Sequence, residues 1–238
     1  GYITAYDEDW YSITVNSGSD WVIETHASSG SDNVGDTKLY LYADTSTNSI
    51  ASDVTSGYST INHRFSSVGA LPTDLFISEY AEGSSNNKYM EIYNGTGAAV
   101  DLSNYRIMQN SNGGPWDEYV DALSGTLADG DVYVIAHSSA SSGILAHADL
   151  TGSGICYFNG DDARALIKVV GSDTTILDYI GTFPDDPGSG WDVAGVTNGT
   201  KDHTLVRKSS IRSGNTSWAS SAGTNATDSE WVVTEKPT

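Results

Sequence analysis

In the segment DEDWYSITV (7–15), Trp10, Ser12 and Thr14 fall on one face of an extended chain, and Tyr11, Ile13 and Val15 on the other. A two-residue period is the mark of a half-buried β-strand. SDWVIETHA (19–27) follows after a short NSG turn, so the two segments read as a hairpin. TKLYLYA (37–43) sets Leu39 and Leu41 against Tyr40 and Tyr42 and predicts a third strand; STINHRF (59–65) is a weaker fourth. Three or four strands are few for an independent core. Residues 1–70 therefore predict a small β unit that is either partial or leaning on its neighbour. SSVGALPT (66–73) has the composition of a linker.

From residue 74 to the end the alternation is dense. LFISEY (75–80), KYMEIYN (88–94), NYRIMQ (104–109), DVYVIAH (131–137) and ICYF (155–158) predict strands. So do ALIKVV (165–170), TILDYIG (175–181), HTLVRK (203–208) and EWVVTE (230–235). All are short and divided by Gly, Asn and Asp turns, with no helical period; ASSGILAHADL (140–150) predicts a turn or two of helix. Many short strands with turns between them describe a sandwich. The expected fold is all-β, with two sandwich-type domains at 1–70 and 74–238.

Composition sharpens this picture. Hydrophobic residues make up 38% of the chain, enough for a real core. Lys and Arg number 11 against 31 Asp and Glu, a formal net charge of −20. Nucleic acid is bound by neutralising phosphates with Lys and Arg, so this surface would repel it. An anionic membrane face is disfavoured for the same reason, and no long apolar run predicts a membrane span. The acidity suits solubility, a salty medium, or carboxylates gathered around Ca²⁺, a hard ion that takes oxygen ligands. The single cysteine, Cys156, cannot form an internal disulfide and reads as a small buried apolar residue. The chain begins at Gly1 without a signal peptide, as a mature form or a piece of something longer would.

No catalytic centre is legible. None of His26, His63, His137, His147 or His203 follows a G-x-S-x-G elbow, and H-E-x-x-H, Walker A, dinucleotide-binding and EF-hand patterns are missing. Glycoside hydrolysis needs two facing carboxylates about 5–10 Å apart, but no motif singles out such a pair among the acids. Glu79 and Glu91 lie in neighbouring strand candidates joined by a loop containing EGSSNN. The candidate ligand-binding residues are loop aromatics beside polar groups: Trp116 and Tyr119 with Asp117, and Trp191 with Asp192. Sugar rings stack on such aromatics while the acids take their hydroxyls. A loop Trp can equally fold back as a plug over the sandwich end. The candidate metal ligands are Asp7, Asp9, Asp32 and Asp36 in the first unit, and Asn159, Asp161 and Asp162 in the tight turn of NGDDARAL. For that turn, capping of main-chain N–H groups is the alternative reading.

LFISEYAEGSSNNKYMEIYNGTGAAVDLSNYRI (75–107) resembles the lamin-tail domain as it occurs in secreted bacterial proteins. The likeness continues through LSGTLADGDVYVIAH (123–137) and YFNGDDARALIKVVGSDTTILDYIG (157–181), and closes with HTLVRKSSIRSGNTSW (203–218) and SEWVV (229–233). It implies an immunoglobulin-like β-sandwich over about 74–235 and carries no agreed catalytic residue. More loosely, DEDWYSITV (7–15) and DTKLYLYADTSTNSIASD (36–53) resemble the bacterial pre-peptidase C-terminal domain, although its final glycine-Tyr-Tyr strand is missing. That likeness implies a small, incompletely closed jelly-roll-like sandwich, and Ca²⁺ by analogy. Together these features lead us to expect a non-catalytic ancillary module pair, secreted or on the cell surface, with structural calcium and further domains in a longer parent protein. Polysaccharide or another cell-surface component is the expected partner. The alternatives are a polysaccharide-binding module pair and a secreted hydrolase with an unrecognised carboxylate site.

Overall fold

The computed structural model divides into two compact units, Gly1–Ala70 and Leu71–Thr238. It describes residues 20–24, 39–42, 49–53 and 60–64 of the first unit, and residues 71–116, 119–152 and 154–237 of the second.

In the first unit, β1 (Asp20–Glu24) pairs antiparallel with β4 (Thr60–Arg64), Trp21 opposite His63 and Ile23 opposite Ile61. β2 (Leu39–Tyr42) pairs antiparallel with β3 (Ser49–Asp53). The alternation of the sequence marks β1, β2 and β4. It does not mark β3, whose SIASD offers one large apolar side chain. The hairpin partner expected for β1, residues 7–15, lies outside the described residues.

The second unit is a two-sheet sandwich. One sheet has the order β12-β11-β6-β5-β15-β16. It contains β5 (Phe76–Glu82), β6 (Lys88–Tyr93), β11 (Val132–Ala136), β12 (Leu150–Thr151), β15 (His203–Arg207) and β16 (Trp231–Glu235). The facing sheet, β14-β13-β8-β9, contains β8 (Tyr105–Asn110), β9 (Tyr119–Ala122), β13 (Ala163–Val170) and β14 (Asp173–Ile180). A short pair joins β7 (Val100–Asp101) to β10 (Thr126–Leu127). Alternation sets the faces: in KYMEIY, Met90 and Ile92 are buried while the residues flanking them are half-exposed. Ile77, Tyr80, Met90, Ile92, Ile107, Ile135, Leu166, Leu205 and Trp231 are each at most 1% exposed and form the middle of the core. Each such side chain contributes about 1.5–3 kcal/mol of burial.

One local expectation is corrected. ICYF (155–158) is not a strand: Gly154–Cys156 is a single 3₁₀ turn. Gly152, at φ +76°, turns the chain just before it, and Gly160 packs against the Lys201 backbone soon after, which leaves no straight run to pair. Cys156 is fully buried all the same, with its Sγ 3.4 Å from Ile135 O, and burial pushes its thiol up to about 12. Helix α1 (Ser142–Leu145) is the short helix expected within 140–150, while α2 (Trp218–Ala222) has no periodic signal in the sequence. Among the described residues, no helix is long and apolar enough to cross a membrane.

A buried charged cluster ties the two sheets together. A bulge in β14 puts Asp178 opposite Leu166 and Ile176 opposite Ile167, leaving Leu177 as the extra residue. Bulges re-aim side chains, and Asp178 faces the interior, fully buried. The ladder between β15 and β5 runs only as far as Val206 opposite Glu79. Beyond it, side chains serve the backbone of Ile77: Asp178 Oδ2 accepts its N–H at 2.9 Å, and Arg207 Nε donates to its carbonyl at 2.8 Å. Arg207 also reaches Asp178 Oδ2 at 2.6 Å and Glu230 Oε2 at 2.7 Å, with its guanidinium 4.0 Å above the Trp231 ring. Asp178 Oδ1 accepts the N–H groups of Tyr179 and Asn215. Glu230 accepts from Asn215 Nδ2 and Ser221 Oγ, and Ser221 Oγ in turn accepts from Trp231 Nε1.

Candidate functional site

A second set of buried polar side chains gathers where β5, the end of β8 and the turn before β13 meet. Arg164 opens β13 opposite Gln109 of β8 and is fully buried. Its guanidinium lies 4.6 Å over the Phe158 ring, which also stacks on Tyr80 at 4.9 Å. Burial holds Arg164 down at about 10 and pushes the Tyr80 phenol well above its ordinary value. Asp162 accepts main-chain N–H bonds from Asn112 and Asn159, each at 3.0 Å, and stands 3.9 Å from Arg164 Nη2. Tyr80 Oη, Gln109 Oε1, Asn110 Oδ1 and Asp161 Oδ1 are buried here without a hydrogen-bond partner. Such atoms are rare in folded proteins and imply an ordered water or a bound ion.

An open depression of about 430 Å³ lies over this end, lined by Asn86, Lys88, His137, Tyr157, Phe158 and Asp162 among others. Tyr157 is 53% exposed, with its ring edge-on to His137 at 4.1 Å. His137 Nδ1 accepts the Ser139 N–H at 3.0 Å, and burial followed by the Lys88 charge lowers the imidazole pKa. Lys88 pairs with Glu82 at 2.5 Å and donates to Phe158 O. Elsewhere, Glu79 and Glu91 face each other across β5 and β6. Tyr89 Oη donates to Glu79, whose pKa is raised by burial, and Ser78 Oγ donates to Glu91 at 2.8 Å. Neither carboxylate lines the depression.

The residues marked by the sequence are distributed as follows. Trp116 is half-buried, stacked on Phe183 at 4.5 Å and on Tyr179 at 5.8 Å. Trp191 is half-buried against the core, and a Cβ at Gly181 would come within 2.6 Å of its ring. It is a plug. Asp192 is exposed, and its Oδ1 accepts the Asn198 N–H at 2.9 Å. Tyr119 stands in β9, opposite Gln109, rather than in the expected loop. Asn159 and Asp162 join through the turn itself, whereas Asp161 keeps a free buried oxygen. Asp7, Asp9, Asp32, Asp36 and Asp117 lie outside the described residues. Among the described residues, no three His, Cys, Asp or Glu side chains converge as a metal site would require. Sequence reasoning missed Gln109, Asn110 and Arg164. Their signal was faint: polar side chains at the ends of otherwise apolar strands.

Two mostly antiparallel sheets packed over one apolar core define an immunoglobulin-like β-sandwich. Residues 70–182 match the family model described as Lamin Tail Domain, and the second unit is a lamin-tail domain. The match contains Asp178 but ends before its partner Arg207 and before Glu230, which pairs with Arg207. No curated protein matches the chain.

Proposed function

We propose that the chain is a non-catalytic ancillary module pair of a secreted or cell-surface bacterial protein, stabilised by calcium and carried within a longer parent. The observation that carries this reading is where the buried charges go. Asp178, Arg207 and Glu230 are occupied by main-chain groups and by one another, and Asp162 by one N–H of its own turn and one from the loop after β8. A catalytic acid or base needs an open face toward substrate within hydrogen-bond reach. Here the ionisable groups serve the fold. The facing carboxylates Glu79 and Glu91 are the natural place for a hydrolase reading, but they lie on a sheet face outside the depression.

Polysaccharide binding is a second reading, favoured by the parallel stack of Trp116 on Phe183, whose ring is 37% exposed. One experiment addresses both. The full chain is incubated with soluble and insoluble polysaccharides, casein, and ester and phosphodiester substrates, and both turnover and retention are measured. The module reading expects no turnover. Turnover abolished by Glu79→Gln or Glu91→Gln would overturn it in favour of a hydrolase. Retention on a polysaccharide that Trp116→Ala abolishes would assign the aromatic stack as its platform.

A further inference from the structure

We propose that a hard divalent cation, calcium, is bound at the Asn110–Asp161 corner of the lamin-tail sandwich, with Asn110 Oδ1 and Asp161 Oδ1 as its inner protein ligands. Both oxygens are buried and lack a hydrogen-bond partner; Asn110 is 0% exposed and Asp161 6%. Asn110 Nδ2 donates to Gly114 O, which fixes the amide so that its oxygen is the end left over. A carboxylate oxygen and an amide oxygen are both acceptors, so neither can satisfy the other while Asp161 is ionised. A cation resolves both at once.

One residue ends a strand and the other lies in the turn that leads into the neighbouring strand. Asn110 ends β8 opposite Ala163, the first residue of β13, and Asp161 stands two residues before Ala163. Three segments frame the corner. The Asn112 N–H bond to Asp162 pins the loop after β8 to the turn at 159–162. Gly113, at φ +67°, packs against Pro184 O and the Asp186 Cβ, where a Cβ of its own would stand 3.0–3.2 Å from them. Thr200 Oγ1 donates to Gly160 O at 2.6 Å and holds the turn from the other side. The corner is thus preorganised before any ion arrives.

Charge supports a cation rather than an anion. Asp161 feels Asp162 and Asp186 as repulsion, and Lys201 and Arg164 as attraction. Three carboxylates against two cationic side chains leave the corner one charge negative. Donors of mixed carboxylate and amide type, with room for main-chain oxygens and water, suit Ca²⁺ at about 2.3–2.6 Å better than Mg²⁺, which demands a regular octahedron. This inference deepens the calcium element of the function proposed above and rests on that element alone.

The test uses Tb³⁺, which takes the oxygen ligands of Ca²⁺ and emits when excited through an indole; Trp116 stands six residues after Asn110 in the chain. The full wild-type chain is expected to give sensitised emission that Ca²⁺ displaces. Asp161→Asn keeps the side-chain shape and removes the charge, and is expected to weaken binding by about tenfold or more, since ligand charge sets affinity in such sites. Asp173→Asn, at the exposed first residue of β14, serves as the control and is expected to bind as wild type does. Wild-type emission that Ca²⁺ fails to displace, or Asp161→Asn binding equal to wild type, overturns the site. Either result would leave the non-catalytic reading intact, whereas turnover in the substrate panel would overturn that reading and leave the site standing.

Discussion

Asp161 carries a carboxyl that burial, and then the neighbouring Asp162, push above its ordinary value of 3.8, while Lys201 pulls against them. A folded-state pKa raised in this way helps folding only while the group is protonated. That contribution is present below the unfolded value and is lost as pH rises through the folded one. In chelator, the wild-type chain is therefore expected to melt progressively below Asp161→Asn as pH climbs from about 4 toward neutrality. The two melts should meet in acid. Melting curves that stay parallel across this range would remove Asp161 as a strained acid. At this scale the sequence was partly readable. The crowded acids of NGDD mark a turn with spare carboxylates. Asn110, the other half of the corner, sits at the end of YRIMQN, where a polar residue is equally well explained as the start of a turn.

Arg207 and Asp178 act between elements, since each supplies a main-chain bond that β15 stops giving to β5 at Ile77. Arg207→Met would leave a buried carboxylate without its cation and is expected to cost about 3–5 kcal/mol in urea unfolding. Many buried ion pairs can be exchanged for apolar residues without loss. This one should not be exchangeable, because the double variant Asp178→Leu/Arg207→Met also strands Ile77, Tyr179 and Asn215. A double variant as stable as wild type would show that the main-chain bonds contribute little. The strands themselves were readable wherever alternation ran four residues or more, as in β6 and β8. The two-residue strands β7, β10 and β12 were not, because pairing that short leaves no period. Asp178 was hidden for a different reason: alternation puts it on the inward face with the buried Ile180, where a carboxylate makes sense only once its partner Arg207, far along the chain, is known.

At the scale of the whole molecule, the chain is a strongly acidic, all-β protein whose second unit is a lamin-tail sandwich. Its architecture was legible because a mostly antiparallel sandwich writes its period into its longer strands. Its function is less legible, since a fold of this kind hosts sites rather than dictating them. The formal charge of −20 means that self-repulsion weakens the compact state, and a cation held at the proposed corner would relieve it locally. The proposed function makes calcium part of the native state, and a ligand bound only by the native state must raise its stability, by about 2.7 kcal/mol at a hundredfold excess over Kd. The most direct measurement is differential scanning calorimetry of the full chain in millimolar Ca²⁺ and in chelator. The unfolding transition is expected to move upward as Ca²⁺ is added and to return on chelation. Superimposable scans under the two conditions would contradict this.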